Sequence, residues 1–322
     1  MTAMKINADF LKEFETGLDP SHPEKSKIPA KVLGYGEIST VFEIEGEPDL
    51  ACKRMPIFRN QKELDQYKTI YNEYNRILND KVGINVPPFG FASFACDTGY
   101  MVCFDVQEKL PPESFGNKLI HTCNDDDIIT FFTLVLRQLE RLWDFNKESA
   151  DIQIGIDGQI SNWAIRDFKA NSSHLSPETK LYYIDTSTPF IRKNGVEQLD
   201  PELFLRSAPS FLIWLIRWLF LKDVMTRYYD FHLVVVDLIA NFYKEQRPEL
   251  IPGLVQVAND FFAREAKDLG IKPITVEEVR SYYKEDALIW TIFLAMRRLD
   301  RFIQKWILRK PYIYILPGKI KR

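Results

Sequence analysis

Residues 31–55 read KVLGYGEISTVFEIEGEPDLACKRM. KVLGYG, STVFEIE and LACKRM alternate or run apolar, so the stretch reads as three strands. A glycine-rich bend joins the first two and the turn signal GEPD joins the second and third. Residues 60–79 then carry helical periodicity, with Leu64, Tyr67, Ile70 or Tyr71, Tyr74, and Ile77 or Leu78 one turn apart. Phe89–Cys96 and Tyr100–Val106 read as a hairpin around Asp97-Thr98-Gly99, and residues 8–18 as a short helix ahead of the strands. The first hundred or so residues are thus strand-rich, with one helix inserted after the third strand.

The second half has another character. Asn124-Asp125-Asp126-Asp127 opens a long helix with acids at the favourable end of its dipole. A strand-loop-strand section is expected from Ile152 to Asp185. Helices are expected over about 209–245, 249–268, 276–286 and 288–309. A small α+β lobe followed by a larger helical lobe is the expected architecture.

Composition narrows the class. The 322 residues are 46% hydrophobic and 27% charged with a net charge of −3, which excludes a disordered chain and gives no nucleic-acid signature. The charge is uneven, however: residues 291–322 hold nine Lys/Arg against Asp300 alone. Cys52, Cys96, Cys103 and Cys123 show neither a C-x-x-C pair nor zinc spacing, and read as free thiols. His22, His121, His174 and His232 are scattered, without metal-ligand spacing. The N-terminus lacks a signal-peptide core. The most apolar run, Phe211–Leu221, is eleven residues broken by Arg217, too short to span a bilayer. No transmembrane segment and a cytoplasmic location are therefore expected.

Four pieces stand in an order that carries chemistry. Gly34 and Gly36, with Ser39 and Val41 after them, form a bend whose amides can approach an anionic group; the plain alternative is a hairpin turn. Lys53 is a cation in an otherwise apolar strand and needs a partner or a ligand, unless that strand is an edge facing water. Glu73 on the next helix is placed to supply the partner, in competition with Glu63 or with simple solvation of both. Asp157 and Asn162, five residues apart in GIDGQISNWAI, precede Asp185 at the end of LYYID. Phosphoryl transfer needs a carboxylate for the acceptor hydroxyl, oxygen ligands for Mg²⁺ and cations on the phosphates, and these residues supply all three.

Taken together the pieces resemble the protein kinase-like superfamily, over about residues 28–190 most closely. The resemblance implies an α+β bilobal kinase-like fold: a small antiparallel-sheet N-lobe with one helix, and a larger, mostly helical C-lobe. Residues 1–27 would be a helix and linker, 28–107 the N-lobe, and 108–322 the C-lobe with its catalytic loop at 157–162. ATP would lie between the lobes, with FDVQEKLP as the hinge and the backbone of Asp105, Val106 and Gln107 on adenine. Lys53 would hold the phosphates with Glu73 as its helix partner, Asp157 act as base, and Asn162 and Asp185 bind Mg²⁺.

The departures point within that superfamily. Ser39 replaces the third glycine of the loop. Gly155 stands where histidine is usual, and Gln159 where eukaryotic protein kinases have lysine. Thr186-Ser187 follow Asp185 instead of Phe-Gly, and Ala-Pro-Glu is absent. These features resemble the aminoglycoside phosphotransferase and choline kinase-like branch, or an atypical kinase, with a small-molecule or other acceptor. A pseudokinase serving as a nucleotide-binding or regulatory module is the alternative, and a helical interaction protein a third reading. In the basic tail, Arg297, Arg301 and Lys305 recur every four residues opposite Leu299, Phe302, Ile303 and Trp306. That spacing reads as a solvated stripe, or else as a surface for an anionic partner, membrane lipid or phosphorylated substrate.

Overall fold

In the computed structural model, residues 4–36, 38–96, 99–169, 174–206 and 226–318 are described. The apolar run Phe211–Leu221 and the start of the helix expected from 209 lie outside them. The chain is mixed α/β, sheet-rich in its N-terminal part and helical in its C-terminal part.

The alternating segments become β1 (Ala30–Tyr35), β2 (Thr40–Ile44), β3 (Glu47–Phe58), β4 (Phe89–Ala95) and β5 (Met101–Glu108). They form one antiparallel sheet in the order β1-β2-β3-β5-β4. Between β3 and β4 runs α2 (Gln61–Arg76), capped by the Asn60 side chain accepting from the Glu63 N–H. Side chains of successive strand residues leave on opposite faces. Phe42, Cys52, Phe104 and Val106 go to one face, beneath Leu11 and Phe14 of α1 (Ala8–Gly17) and Ile315 from the end of the chain. Met55, Phe91 and Cys103 go to the other, against Tyr67 and Tyr71 of α2.

The N-terminal helix is therefore part of the sheet's core. Residues far beyond 107 also return to the sheet, since Arg54 Nη1 on β3 donates to the Ile313 carbonyl at 2.8 Å. α1 and the segment around Ile313 and Ile315 thus share the outer face of the sheet.

The helical part starts with α3 (Gly116–Thr122) and α4 (Asp125–Glu148), the latter capped by Asn124 as its sequence implied. The short strands β6 (Ile152–Ile154), β7 (Trp163–Ile165), β8 (Leu181–Tyr183), β9 (Ile191–Lys193) and β10 (Val196–Glu197) follow. Then come the single turn α5 (Glu202–Leu205), α6 (Phe231–Lys244) and α7 (Ile251–Arg264). Buried side chains of α4, α6 and α7, among them Phe132, Leu139, Val235, Phe242 and Leu254, share one core with Trp163 and Tyr183.

Two expectations about the C-terminal helices change. The break expected at 287 is absent: α8 runs unbroken from Val276 to Phe302 and continues as a wider turn to Ile307. Arg297, expected on a solvated stripe, is buried at 2% exposure, with its guanidinium 5.6 Å from the Phe293 ring centre and 5.3 Å from that of Tyr314. The segment after α8 lies back along the helix and supplies the aromatic cover for this cation. Arg301 and Lys305 do face solvent.

Gly155 shows why that position holds the smallest residue. A Cβ there would meet the Tyr228 carbonyl oxygen at 2.9 Å and the Phe190 Cβ at 3.0 Å. Backbone on one side cannot rotate away, so Gly155→Ala is expected to lower stability by about 1–3 kcal/mol through overpacking. Urea denaturation measures this, and an unchanged midpoint would show that the Tyr228 segment yields freely.

Candidate functional site

The inner face of the sheet carries a row set by register. Val41 lies opposite Lys53, Lys53 opposite Asp105, and Asp105 opposite Phe91. Directly opposite residues share a face, so Lys53 and Asp105 project together toward α2 and the helical part. β3 is an interior strand, which removes the reading of Lys53 as an edge lysine facing water.

The cation's partner comes from far along the chain. Lys53 Nζ donates to Asp185 Oδ1 at 2.7 Å, and the Ser187 hydroxyl donates to the same oxygen at 3.0 Å. Burial would raise the proton affinity of Asp185, but the Lys53 charge and these hydrogen bonds outweigh it and hold the carboxyl below its usual range. Glu73 does not fill this role. Its carboxylate pairs with Lys193 of β9 at 2.8 Å, and Glu63 is bound to Arg206 at 2.6 Å. Both glutamates sit on α2, but each has a cation from the helical part, so Lys53 is left to Asp185.

The second strand pair positions the other candidates. β7 and β8 are antiparallel with Trp163 opposite Tyr183, which places Asn162 beside Ile184; the Ile184 N–H donates to the Asn162 carbonyl at 3.0 Å. Asn162 Nδ2 in turn donates to the Asp157 carbonyl at 3.2 Å. The Gln159 N–H donates to Asp157 Oδ1 at 3.1 Å, closing the loop as an Asx-type turn. Trp163, fully buried, donates to the Gly158 carbonyl and anchors the loop from below. Lys53 with Asp185 and Asp157 with Asn162 thus form two bonded sets, joined through the backbone at Ile184 beside Asp185.

The carboxylates repel one another. Burial, with the Asp237 and Asp185 charges, raises the proton affinity of Asp157 against the opposing Gln159 N–H and Arg227. Asp237 is raised too, chiefly by burial. It lies on α6 and accepts from Gln159 Nε2 at 3.4 Å, while Gln159 Oε1 receives Asn241 Nδ2 and Lys244 Nζ at 3.2 and 3.0 Å. Asp237 is not among the residues that motif and spacing single out; its one local signal is a lone acid inside the apolar run FHLVVVDLIA.

Asp105 is a buried carboxyl at the back of the row. Its Oδ2 lies 2.7 Å from the Tyr67 hydroxyl, which is also 2.9 Å from the Ser187 carbonyl, and its Oδ1 has no hydrogen-bond partner among the described residues. One tyrosine proton cannot serve both acceptors. A neutral Asp105 would donate to Tyr67 and release the tyrosine proton for Ser187. Burial accordingly pushes the Asp105 carboxyl from 3.8 up to about 7. The folded state then binds more protons than the unfolded chain between those values, so stability from this group is present at low pH and is lost as pH rises through about 7. The melting temperature of Asp105→Asn relative to the unaltered protein is expected to climb between about pH 5 and about pH 8. A flat difference would show that Asp105 titrates normally.

Gly34 and Val41 are paired across the β1–β2 hairpin, and the Gly36 N–H donates to the Ser39 carbonyl at 3.0 Å. The Ser39 hydroxyl fills the space a Cβ on Gly36 would need, so the loop closes tightly upon its own serine. Asp105, Val106 and Gln107 lie within β5, paired on one side with β3 and on the other with β4. Flanked on both sides, their N–H and C=O groups belong to the sheet ladder, which removes them as backbone contacts for adenine. Gln107 instead uses its side chain, donating to the Ile184 carbonyl beside Asp185 at 3.1 Å.

Residues 21–301 match a protein family described as "Family of unknown function (DUF6206)". No curated protein matches the chain. Among solved structures, WaaP in complex with acyl carrier protein is similar at 13% identity and a TM-score of 0.32, over 83% of this chain and 99% of that one.

Proposed function

We propose that this chain, which belongs to the DUF6206 family of unknown function, is an ATP- and Mg²⁺-dependent phosphotransferase of kinase-like fold, acting on a small-molecule acceptor. The observation that supports the reading is the contact between Lys53 and Asp185, 132 residues apart, at 2.7 Å, next to the Ile184 N–H bond that ties this segment to Asn162 and so to the Asp157 loop.

The donor set fits the nucleotide and its metal. Asp185 and Asn162 offer hard oxygen ligands of the kind Mg²⁺ prefers, and Asn162 spends its amide nitrogen on Asp157, leaving its side-chain oxygen as the acceptor end. Lys53 is a cation pre-positioned for phosphate oxygens, held until then by Asp185. When bound, the metal would neutralise charge on the phosphates. The chain's own work is positioning and proton handling. Lys53 orients the anionic tail, Asp157 accepts the acceptor's proton, and Gln159 and Asn162 fix the loop that carries Asp157. The glycine-rich hairpin at Gly34, Gly36, Ser39 and Val41 would cover the phosphates.

The Glu73–Lys193 pair favours a second reading, a nucleotide-binding regulatory module, because it holds the α2 glutamate away from Lys53. One experiment separates the two readings. Thermal shift with ATP, with and without MgCl₂, is expected to rise with nucleotide and further with metal, and phosphate release with a panel of alcohols and amines reads turnover. A shift without transfer to any acceptor selects the regulatory module, and no shift with nucleotide removes both.

A further inference from the structure

The C-terminal half of α8 is turned inside out. Its buried side includes Arg297 and Asp300, at 2% and 9% exposure. Its solvent side carries Leu288, Ile292, Leu299, Phe302 and Trp306, spaced by four, seven, three and four residues, a single helical stripe. With Ile307 and Leu308 these make seven of the eleven large apolar side chains exposed among the described residues, Trp306 the most open at 75%. Scattered surface apolar residues need no explanation, but a continuous stripe does.

Its fringe is cationic. Arg298 and Lys305 are exposed at its edge, Arg309 and Lys310 just beyond its end, and Arg301 farther round the helix. Arg298 donates to the Gly318 carbonyl and Lys305 to the Ser21 hydroxyl, neither of them a carboxylate. Asp300, the one acid in residues 291–322, is buried and accepts from Gln304. No helix among the described residues is long and apolar enough to cross a membrane.

We infer that this face docks on an anionic lipid bilayer, with Phe302 and Trp306 entering the headgroup boundary and the flanking Lys/Arg side chains on lipid phosphates and carboxylates. An apolar stripe with a basic edge and an interfacial tryptophan is the chemistry such a surface recognises. Charge decides against a second copy. A two-fold contact sets the same patch against itself, so the exposed cations around the stripe in one copy would face those of the other with no exposed acid among residues 291–318 to offset them. The inference stands independently of the phosphotransfer reading.

The test is co-flotation of the full chain with vesicles of phosphatidylcholine alone or with about a third phosphatidylserine. Binding is expected to the anionic vesicles only and to weaken with added salt. Phe302→Ser with Trp306→Ser is expected to reduce it about tenfold or more, as is Lys305→Glu with Lys310→Glu. These side chains are exposed, so melting temperatures should stay unchanged. Absence of flotation with anionic vesicles overturns the inference. So does flotation that survives both double variants. A dimer abolished by Trp306→Ser, or capture by an acidic polypeptide such as polyglutamate, in each case without vesicle binding, assigns the face to another occupant and overturns it equally.

Discussion

Asp157→Asn is expected to lower phosphate transfer by about 10²–10⁴-fold while leaving nucleotide binding and the fold in place. Asparagine has the same shape, so its side-chain oxygen can still accept from the Gln159 N–H, and the loop that depends on this bond keeps its form. What disappears is the ability to take a proton. The crowding of Asp157 by Asp237 and Asp185 in a buried setting adds a pH signature. Because proton affinity is raised, the base is ionised only as pH rises, so turnover should increase with pH on its acid limb. Asp237→Asn removes one repelling charge and should move that limb to lower pH without abolishing turnover. Unchanged turnover in Asp157→Asn, with ATP binding intact, would remove Asp157 as the base and with it the proposed chemistry.

The largest structural effect is expected on the opposite face of the same sheet, where Glu15→Ala should cost about 3–5 kcal/mol. Glu15 and Arg54 are 8% and 2% exposed. Arg54 Nε and Nη2 each lie 2.6 Å from a Glu15 carboxylate oxygen, a two-point contact, and the Tyr100 hydroxyl donates to Glu15 at 3.0 Å. Removing the carboxylate leaves a guanidinium under α1 and the returning C-terminal segment with no counter-charge. The cost comes from the abandoned charge more than from the pair's own strength. Replacing both at once, Glu15→Leu with Arg54→Met, should therefore recover most of the loss. Urea denaturation of the three variants checks this. A single-variant loss under about 1 kcal/mol would mean that water reaches the site and solvates the arginine.

The sheet and most of the helices were legible because their signals are local. Alternation in 31–55 and the run of Leu64, Tyr67, Tyr71 and Tyr74 report strand and helix geometry within a few residues, and Asn60 and Asn124 mark helix starts through bonds three residues long. The positions of Lys53, Asp157, Asn162 and Asp185 were legible as a chemical set, since an ammonium in an apolar strand and carboxylates beside turns each ask for a partner. Their pairing was not. Glu73 and Glu63 are nearer in the chain, but Lys193 and Arg206 reach those glutamates first, and Lys53 finds Asp185.

Periodicity alone thus determined which residues share a strand face or helix side, because that follows from backbone geometry. Which side turns inward was a different matter in α8. The expectation that its arginines face water holds for Arg301 and fails for Arg297, which Tyr314 covers from a segment that folds back after the helix has ended. A buried cation is tolerable only when other groups close over it, here Phe293 on the same helix and Tyr314 from beyond it. Only the tertiary structure decides such cases, because burial is set by what packs against a face and not by the face itself.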